Sequence, residues 1–393
     1  MKVLMIAPQP FYVDRGTPMN VRLLCKVLGE AGHSVDLLVF PTGRDVALEN
    51  VNIIRLPNVF RVHSIPAGPS LIKLAFDVLL TMKVLYLCLK TRYDVIHGIE
   101  EGGFLAVIGG KIFRKFSVFD MDSCISDQLQ YSGFIKNTML LKFVTSLERL
   151  SLSNSSLIVT VCKALTDKAR FLAPEARIVQ IEDIPLDVEK CECGPCNVKN
   201  LLDKYGLLPD SYKVVYTGNL EKYQGIDLLL RSWGKLEALH REKQPVELIL
   251  VGGSGEKVSY YKEMSEKLGL KNICWAGQRP VEEMGEWMEL AHILVSPRSQ
   301  GENTPLKIYS YMNSGRPVVA TNKKTHTQVL DDSLAFLAAP DPEKFAEAMY
   351  EALFDSRLSK QKAVAAQRAV EEFYSYPVFQ KKLLDAYAAL AGH

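Results

Sequence analysis

The sequence predicts an α/β protein made of two doubly wound, parallel-sheet domains. Three observations carry that expectation. At 393 residues the chain is longer than one ordinary hydrophobic core serves. Short β-branched apolar runs alternate with segments of helical period, the pattern of a parallel sheet covered by helices. The alternation then breaks at Cys191-Glu192-Cys193-Gly194-Pro195-Cys196 and restarts near Lys213. With 48% apolar and 23% charged residues, the chain is globular rather than disordered.

In chain order, Val3–Ala7, Val35–Phe40, Ile53–Leu56, Val95–Gly98, Ser117–Asp120, Leu157–Val161 and Ile178–Ile184 read as buried strands. Helical periods fall between most of them: Met19–Ala31 with Gly32 as its stop, Leu71–Thr91, Phe104–Ile112, Leu140–Asn154 and Ala164–Leu172. After the break, strands are expected at Lys213–Thr217, Leu248–Gly252, Ile273–Trp275, Ile293–Ser296 and Val318–Thr321. Helices are expected at Ile226–His240, Tyr260–Leu268, Val281–Leu290, Lys307–Ser314 and Glu343–Phe354. A last helical stretch, Gln361 to Leu390, breaks at Tyr376-Pro377, because proline cannot continue a helix.

Residues 1–179 carry 21 Lys/Arg against 15 Asp/Glu, leaving 26 against 30 for the remainder. A basic first half suits a solvated surface, an anionic lipid or an anionic acceptor. Within it, Leu71, Leu74, Ala75, Val78, Leu79, Met82, Leu85, Tyr86 and Leu89 form a broad apolar face. Lys73, Asp77, Lys83 and Lys90 interrupt it, so the segment is a core or interfacial helix and not a span. The first seven residues read as a strand and not a signal peptide. Eight cysteines without such a leader are expected as reduced thiols in a cytosolic compartment.

The segment 295–320 is the most informative. It reads as strand, polar loop (Arg298 to Leu306), helix start at Lys307, then Gly315 and another strand. A helix start beside such a loop suits an anionic ligand such as a diphosphate. Gly218 and Gly225 bound a second strand–loop–helix unit containing Asn219, Lys222 and Gln224. Gly218 would let backbone approach a ligand; an ordinary turn is the competing reading. Val251-Gly252-Gly253 and Gly277-Gln278-Arg279 end further strands, with Arg279 either a ligand contact or a surface cation. In the first half, Arg15-Gly16 lies between strand and helix. His97 ends a strand beside Glu100 and Glu101, at the edge where such sheets meet ligands. Asp120 and Asp122 either orient a hydroxyl or cap the next segment. Three thiols at Cys191, Cys193 and Cys196 lack a fourth zinc ligand nearby, so a reduced linker is favoured.

These motifs together resemble retaining family 4 glycosyltransferases of GT-B fold. In that family a pair of glutamates separated by a loop and helix start precedes Gly and Pro-Val-Val. Here Glu302 stands first, Ser310 occupies the second position, and Gly315-Arg316-Pro317-Val318-Val319 follows. Asn219 and Gln224 stand where the family usually has Arg and Lys. The resemblance implies two Rossmann-like domains, 1–190 for the acceptor and 199–372 for the donor. They would face each other across a cleft, with a C-terminal helix, 377–393, crossing back to the first. It implies sugar transfer from a nucleotide-diphosphate sugar to an acceptor hydroxyl, with retention and without an obligatory metal or cofactor. Glu302, His97 and Asp122 are the catalytic candidates. Donor contacts are expected from Gly16, Gly218, Asn219, Lys222, Arg279, Arg298, Asn303, Thr304, Pro305, Leu306, Lys307 and Ser310. The expected acceptor is a glycan or lipid-linked glycan, as in polysaccharide biosynthesis, and no nucleic acid is expected. The expected location is cytoplasmic, peripheral at the inner face of the plasma membrane. A nucleotide-sugar epimerase and a non-catalytic scaffold subunit are the alternatives.

Overall fold

A computed structural model describes the chain except for residues 15, 64, 66–69, 132–136, 187–197, 241–243 and 392–393. The Cys191/Cys193/Cys196 cluster and Arg15 therefore lie outside the described residues. The chain divides into two compact units, Met1–Glu182 with Phe379–His393, and Asp183–Val378.

The first unit holds strands β1 (Lys2–Ala7), β2 (Ser34–Val39), β3 (Val51–Arg55), β4 (Val95–Ile99), β5 (Phe116–Met121), β6 (Leu157–Thr160) and β7 (Ile178–Gln180). They form a seven-stranded sheet in the order β3-β2-β1-β4-β5-β6-β7. All pairs are parallel, and Met5 lies opposite both Leu37 and His97. Helices cover both faces, so β1 and β2 run apolar and buried almost end to end instead of alternating. The helices are α1 (Gly16–Glu30), α2 (Leu71–Lys90), α3 (Gly102–Phe113), α4 (Ile125–Tyr131), α5 (Thr138–Asn154) and α6 (Lys163–Leu172). Local chemistry sets their ends. Ser70 Oγ accepts from the Lys73 N–H to start α2, and Asn137 caps α5. Gly32, at φ +79°, closes α1: its N–H donates to the Gly29 carbonyl, and the His33 N–H donates to the Leu28 carbonyl.

The second unit repeats the plan with α7 (Val198–Tyr205), β8 (Tyr212–Thr217), α8 (Ile226–Leu239), β9 (Val246–Val251), α9 (Gly255–Lys267), β10 (Ile273–Gly277), α10 (Met284–Leu290), β11 (Ile293–Ser296), α11 (Lys307–Asn313), β12 (Val318–Thr321), α12 (Lys324–Thr327), β13 (Phe336–Ala338), α13 (Pro342–Phe354) and α14 (Ser356–Phe373). Its sheet order is β10-β9-β8-β11-β12-β13, again all parallel. Its core packs Trp233, Leu229 and Phe345 on one side of the sheet and Trp287, Tyr311 and Met312 on the other.

The chain ends in α15 (Tyr376–Ala391), whose residues from Phe379 belong to the first unit. Pro377 sits in the first turn of α15, where a missing N–H is no loss, so the break precedes it by two residues. Four short elements escape sequence periodicity: α4, α7, α12 and β13 have seven, eight, four and three residues, too few to show a period.

Candidate functional site

In an open parallel sheet, ligands bind beyond the carboxyl ends of the strands, where the strand order reverses. In the second unit that point lies between β8 and β11. The loops leaving these two strands touch there. Gly225 has φ +74°, and a Cβ built on it would stand 2.0 Å from the Pro297 carbonyl oxygen, so only glycine fits. Ser299 N–H donates to the Tyr223 carbonyl at 3.1 Å, and the Arg298 guanidinium lies 5.2 Å from the Tyr223 ring centre.

Lys307 places its ammonium at the centre of this junction. Nζ stands 3.8 Å from the Tyr216 ring centre and 2.9 Å from where a Gly218 Cβ would be. It is buried and makes no hydrogen bond. Desolvation first, and the Arg298 charge second, hold its pKa well below the usual lysine value. A buried cation without a counter-charge is costly, and an anion bound at the junction would offset that cost. Arg298 is positioned beside it: Nε donates to the Gln300 carbonyl and Nη2 to Asn303 Oδ1, both at 2.9 Å. Below, Tyr216 Oη donates to the Asn219 carbonyl at 2.6 Å and Thr217 N–H donates to Tyr311 Oη at 2.8 Å, which fixes the loop root.

The carboxyl ends of β11 and β12 are joined by His326. Its Nε2 meets Ser296 Oγ at 2.9 Å and its Nδ1 meets the Thr321 carbonyl at 2.9 Å. A carbonyl only accepts, so Nδ1 carries the proton and Nε2 accepts from the serine hydroxyl. Burial drives this imidazole down to about 3, so it is neutral.

Most donor candidates gather here. Glu302 is half-buried, its carbonyl accepts from Gln328 Nε2 at 2.8 Å, and no donor among the described residues holds its carboxylate. Thr304 and Pro305 are buried, and Leu306 immediately precedes α11. Asn219 is exposed, with Nδ2 3.2 Å from Tyr223 Oη. Lys222 is exposed on a short 3-10 turn, and α11, which opens with Lys307, has seven residues. Ser310 is buried, and its Oγ accepts from Leu186 N–H at 3.1 Å. Arg279 lies beyond β10 and is held by both oxygens of Glu283, at 2.8 and 2.6 Å.

In the first unit the reversal falls between β1 and β4. Gly16 opens α1 with no heavy atom within 4 Å of where its Cβ would stand. Asp122 is buried and accepts from Asn20 Nδ2 at 3.3 Å. Glu148 of α5 accepts from the N–H groups of Ile125 and Ser126 at the start of α4. His97 is fully buried. Nδ1 meets Tyr387 Oη at 2.7 Å and Nε2 meets Asp120 Oδ2 at 3.1 Å, so neither ring nitrogen is left for a substrate. Through these two contacts His97 fastens α15 to the sheet. Beside it Glu100, at φ +48°, accepts from Ser123 Oγ at 2.8 Å, and Lys73 pairs with Glu101. Among the described residues no group of three His, Cys, Asp or Glu is placed to hold a metal ion.

Residues 211–355 match the family described as glycosyl transferases group 1. An uncharacterized glycosyltransferase of Methanocaldococcus jannaschii is 23% identical, covering 98% of both chains. A phosphatidyl-myo-inositol mannosyltransferase of Mycolicibacterium smegmatis is 24% identical, over 100% of this chain and 95% of its own. Among solved structures, sucrose-phosphate synthase of Thermosynechococcus elongatus superposes with a TM-score of 0.78 at 18% identity, covering 100% of this chain and 99% of that one.

Proposed function

We propose that this chain, which has the GT-B fold and is similar to family 4 glycosyltransferases, moves a sugar from a nucleotide-diphosphate sugar to an acceptor hydroxyl with retention. The observation that carries the reading is the buried, unpartnered Lys307 ammonium at the β8/β11 junction. As the bond between the anomeric carbon and the β-phosphate oxygen breaks, its electron pair goes to the departing diphosphate. Lys307, with Arg298 beside it, offsets that charge at a site already arranged for it. The acceptor oxygen attacks from the face the phosphate leaves, and its proton passes to the phosphate oxygen. Glu302 holds hydroxyls of the donor sugar, and Asp122 orients the acceptor. With two cations in place, the reaction needs no obligatory metal. The acceptor is a glycan or lipid-linked glycan, with the enzyme peripheral at a membrane. The mannosyltransferase relative is named for a phosphatidylinositol substrate, which supports a lipid-linked acceptor.

Thermal shifts with nucleosides, nucleoside diphosphates and nucleotide sugars test the site. A ligand at 100 times its Kd adds about 2.7 kcal/mol to stability. Nucleoside diphosphates are expected to stabilise the wild type and to lose most of that effect in Lys307→Met, while nucleosides act on both alike. Equal stabilisation of the two proteins by diphosphates would overturn the assignment. Chelation by EDTA should leave transfer intact; loss of activity restored by Mg²⁺ or Mn²⁺ would contradict the metal-free reading. Donor turnover without acceptor would favour the epimerase, and no turnover the scaffold.

A further inference from the structure

Three neighbouring helices of the first unit leave apolar side chains in solvent. On α2, Leu71, Leu74, Val78, Met82, Leu85 and Leu89 are exposed at spacings of three and four, a single stripe. The opposite stripe, Phe76, Leu80, Val84 and Leu87, is buried against the sheet. Thus α2 is both a core helix and an exposed apolar one. On α5, Leu140, Phe143, Leu147 and Leu150 repeat the same spacing in solvent. Between them α3 packs against both and adds Ile108 and Ile112, 52% and 60% exposed. Scattered exposed leucines are ordinary, but aligned stripes on adjacent helices form a patch that a soluble monomer rarely carries.

The charge on these helices selects the occupant. Among their described residues every exposed charged side chain is cationic: Lys90, Lys111, Lys142 and Arg149. The carboxylates are turned inward. Asp77 is part-buried, and Glu148 is fully buried and occupied with the start of α4. A second copy of this chain would bring like charges together, and an acidic protein partner would not call for two long aliphatic stripes. No helix among the described residues is long and apolar enough to cross a membrane, and an apolar face flanked by cations suits the surface of one.

We propose that α2, α3 and α5 together form a face that docks on an anionic lipid bilayer, with the Leu, Ile, Met and Phe side chains entering the acyl boundary and the lysines and arginine meeting lipid phosphates. This deepens the peripheral placement proposed above and rests on that part of the reading, not on the donor site. Each cation near an anionic surface adds attraction that decays within a Debye length, so binding weakens as salt rises.

The full chain is tested by sedimentation with vesicles of phosphatidylcholine, or of equal parts phosphatidylcholine and phosphatidylglycerol. Wild type is expected to pellet with the anionic vesicles at low salt and to be released in part at high salt. Two double variants at exposed positions, L74Q/M82Q on α2 and F143Q/L147Q on α5, should each lower the partition coefficient tenfold or more. K142E/R149E should abolish the preference for phosphatidylglycerol. Unchanged thermal unfolding and an unchanged shift with nucleoside diphosphate show that the fold and donor site are intact, so failure here is separable from failure of the transfer reading. Wild type left in the supernatant with anionic vesicles at low salt overturns the proposal. So does binding that survives F143Q/L147Q, which would confine the contact to α2. A wild-type dimer in solution that F143Q/L147Q converts to monomer would assign the face to a second copy instead.

Discussion

At the scale of single residues, the β8/β11 junction places charge where the free fold would prefer none. Lys307 is held with a lowered pKa and no hydrogen-bond partner. A lysine whose folded pKa lies below its unfolded value destabilises the fold at every pH below about 10.4 at which the unfolded chain is protonated. Lys307→Met is therefore expected to make the ligand-free protein more stable at neutral pH, by about 1–3 kcal/mol, while weakening donor binding. Glu302 is the complementary case. Its carboxylate has no donor among the described residues, so Glu302→Gln should leave the melting temperature unchanged and lower kcat/KM by the equivalent of about 1.5–3 kcal/mol. Wild-type kcat/KM in that variant would remove Glu302 from the donor site.

At the scale of elements, the junction is a set of strand ends that must stay in register. His326 links β11 to β12 through Ser296 and Thr321. Its pKa falls from 6.5 to about 3 on folding, because burial disfavours the charged ring. The contribution is fully present at neutral pH and is lost as pH falls below about 6.5, where the unfolded chain gains a proton that the folded one refuses. Between pH 7 and pH 5 the wild type should lose up to about 2 kcal/mol from this group, and His326→Gln should lack that component. Urea unfolding of both proteins at the two pH values measures it; parallel losses would show that other groups carry the acid sensitivity. The tight crossing of Gly225 and Pro297 belongs to the same register, since it holds the loops after β8 and β11 against each other.

At the scale of the whole chain, the last helix is tied to the first unit by Tyr387, 290 residues from its partner His97. Removing the phenol oxygen leaves a buried imidazole nitrogen without a partner, which typically costs about 1–3 kcal/mol. Tyr387→Phe should therefore lower the stability of the first unit while leaving the nucleotide-dependent thermal shift unchanged. A loss of that shift would give Tyr387 a role at the donor site.

Local sequence determined the two doubly wound units and most of their elements, because β-branched runs and helical periods are encoded within a dozen residues. It also located the β8/β11 junction, since Gly218, Gly225 and the stretch from Arg298 to Lys307 lie in contiguous strand–loop–helix units. What it left open depends on partners far away in the chain. His97 looked catalytic at a strand end; only the folded chain brings Tyr387 and Asp120 to both of its nitrogens. Glu148 caps α4 from α5, which no spacing near Asp122 reveals. Ser310 meets Leu186 from 124 residues away. Lys307 was legible as the first residue of a helix, but the isolation of its ammonium appears only when Tyr216 and Gly218 close around it. Periodicity reports which face of an element is apolar, whereas burial and charge pairing are properties of what packs against that face, and those the tertiary structure decided.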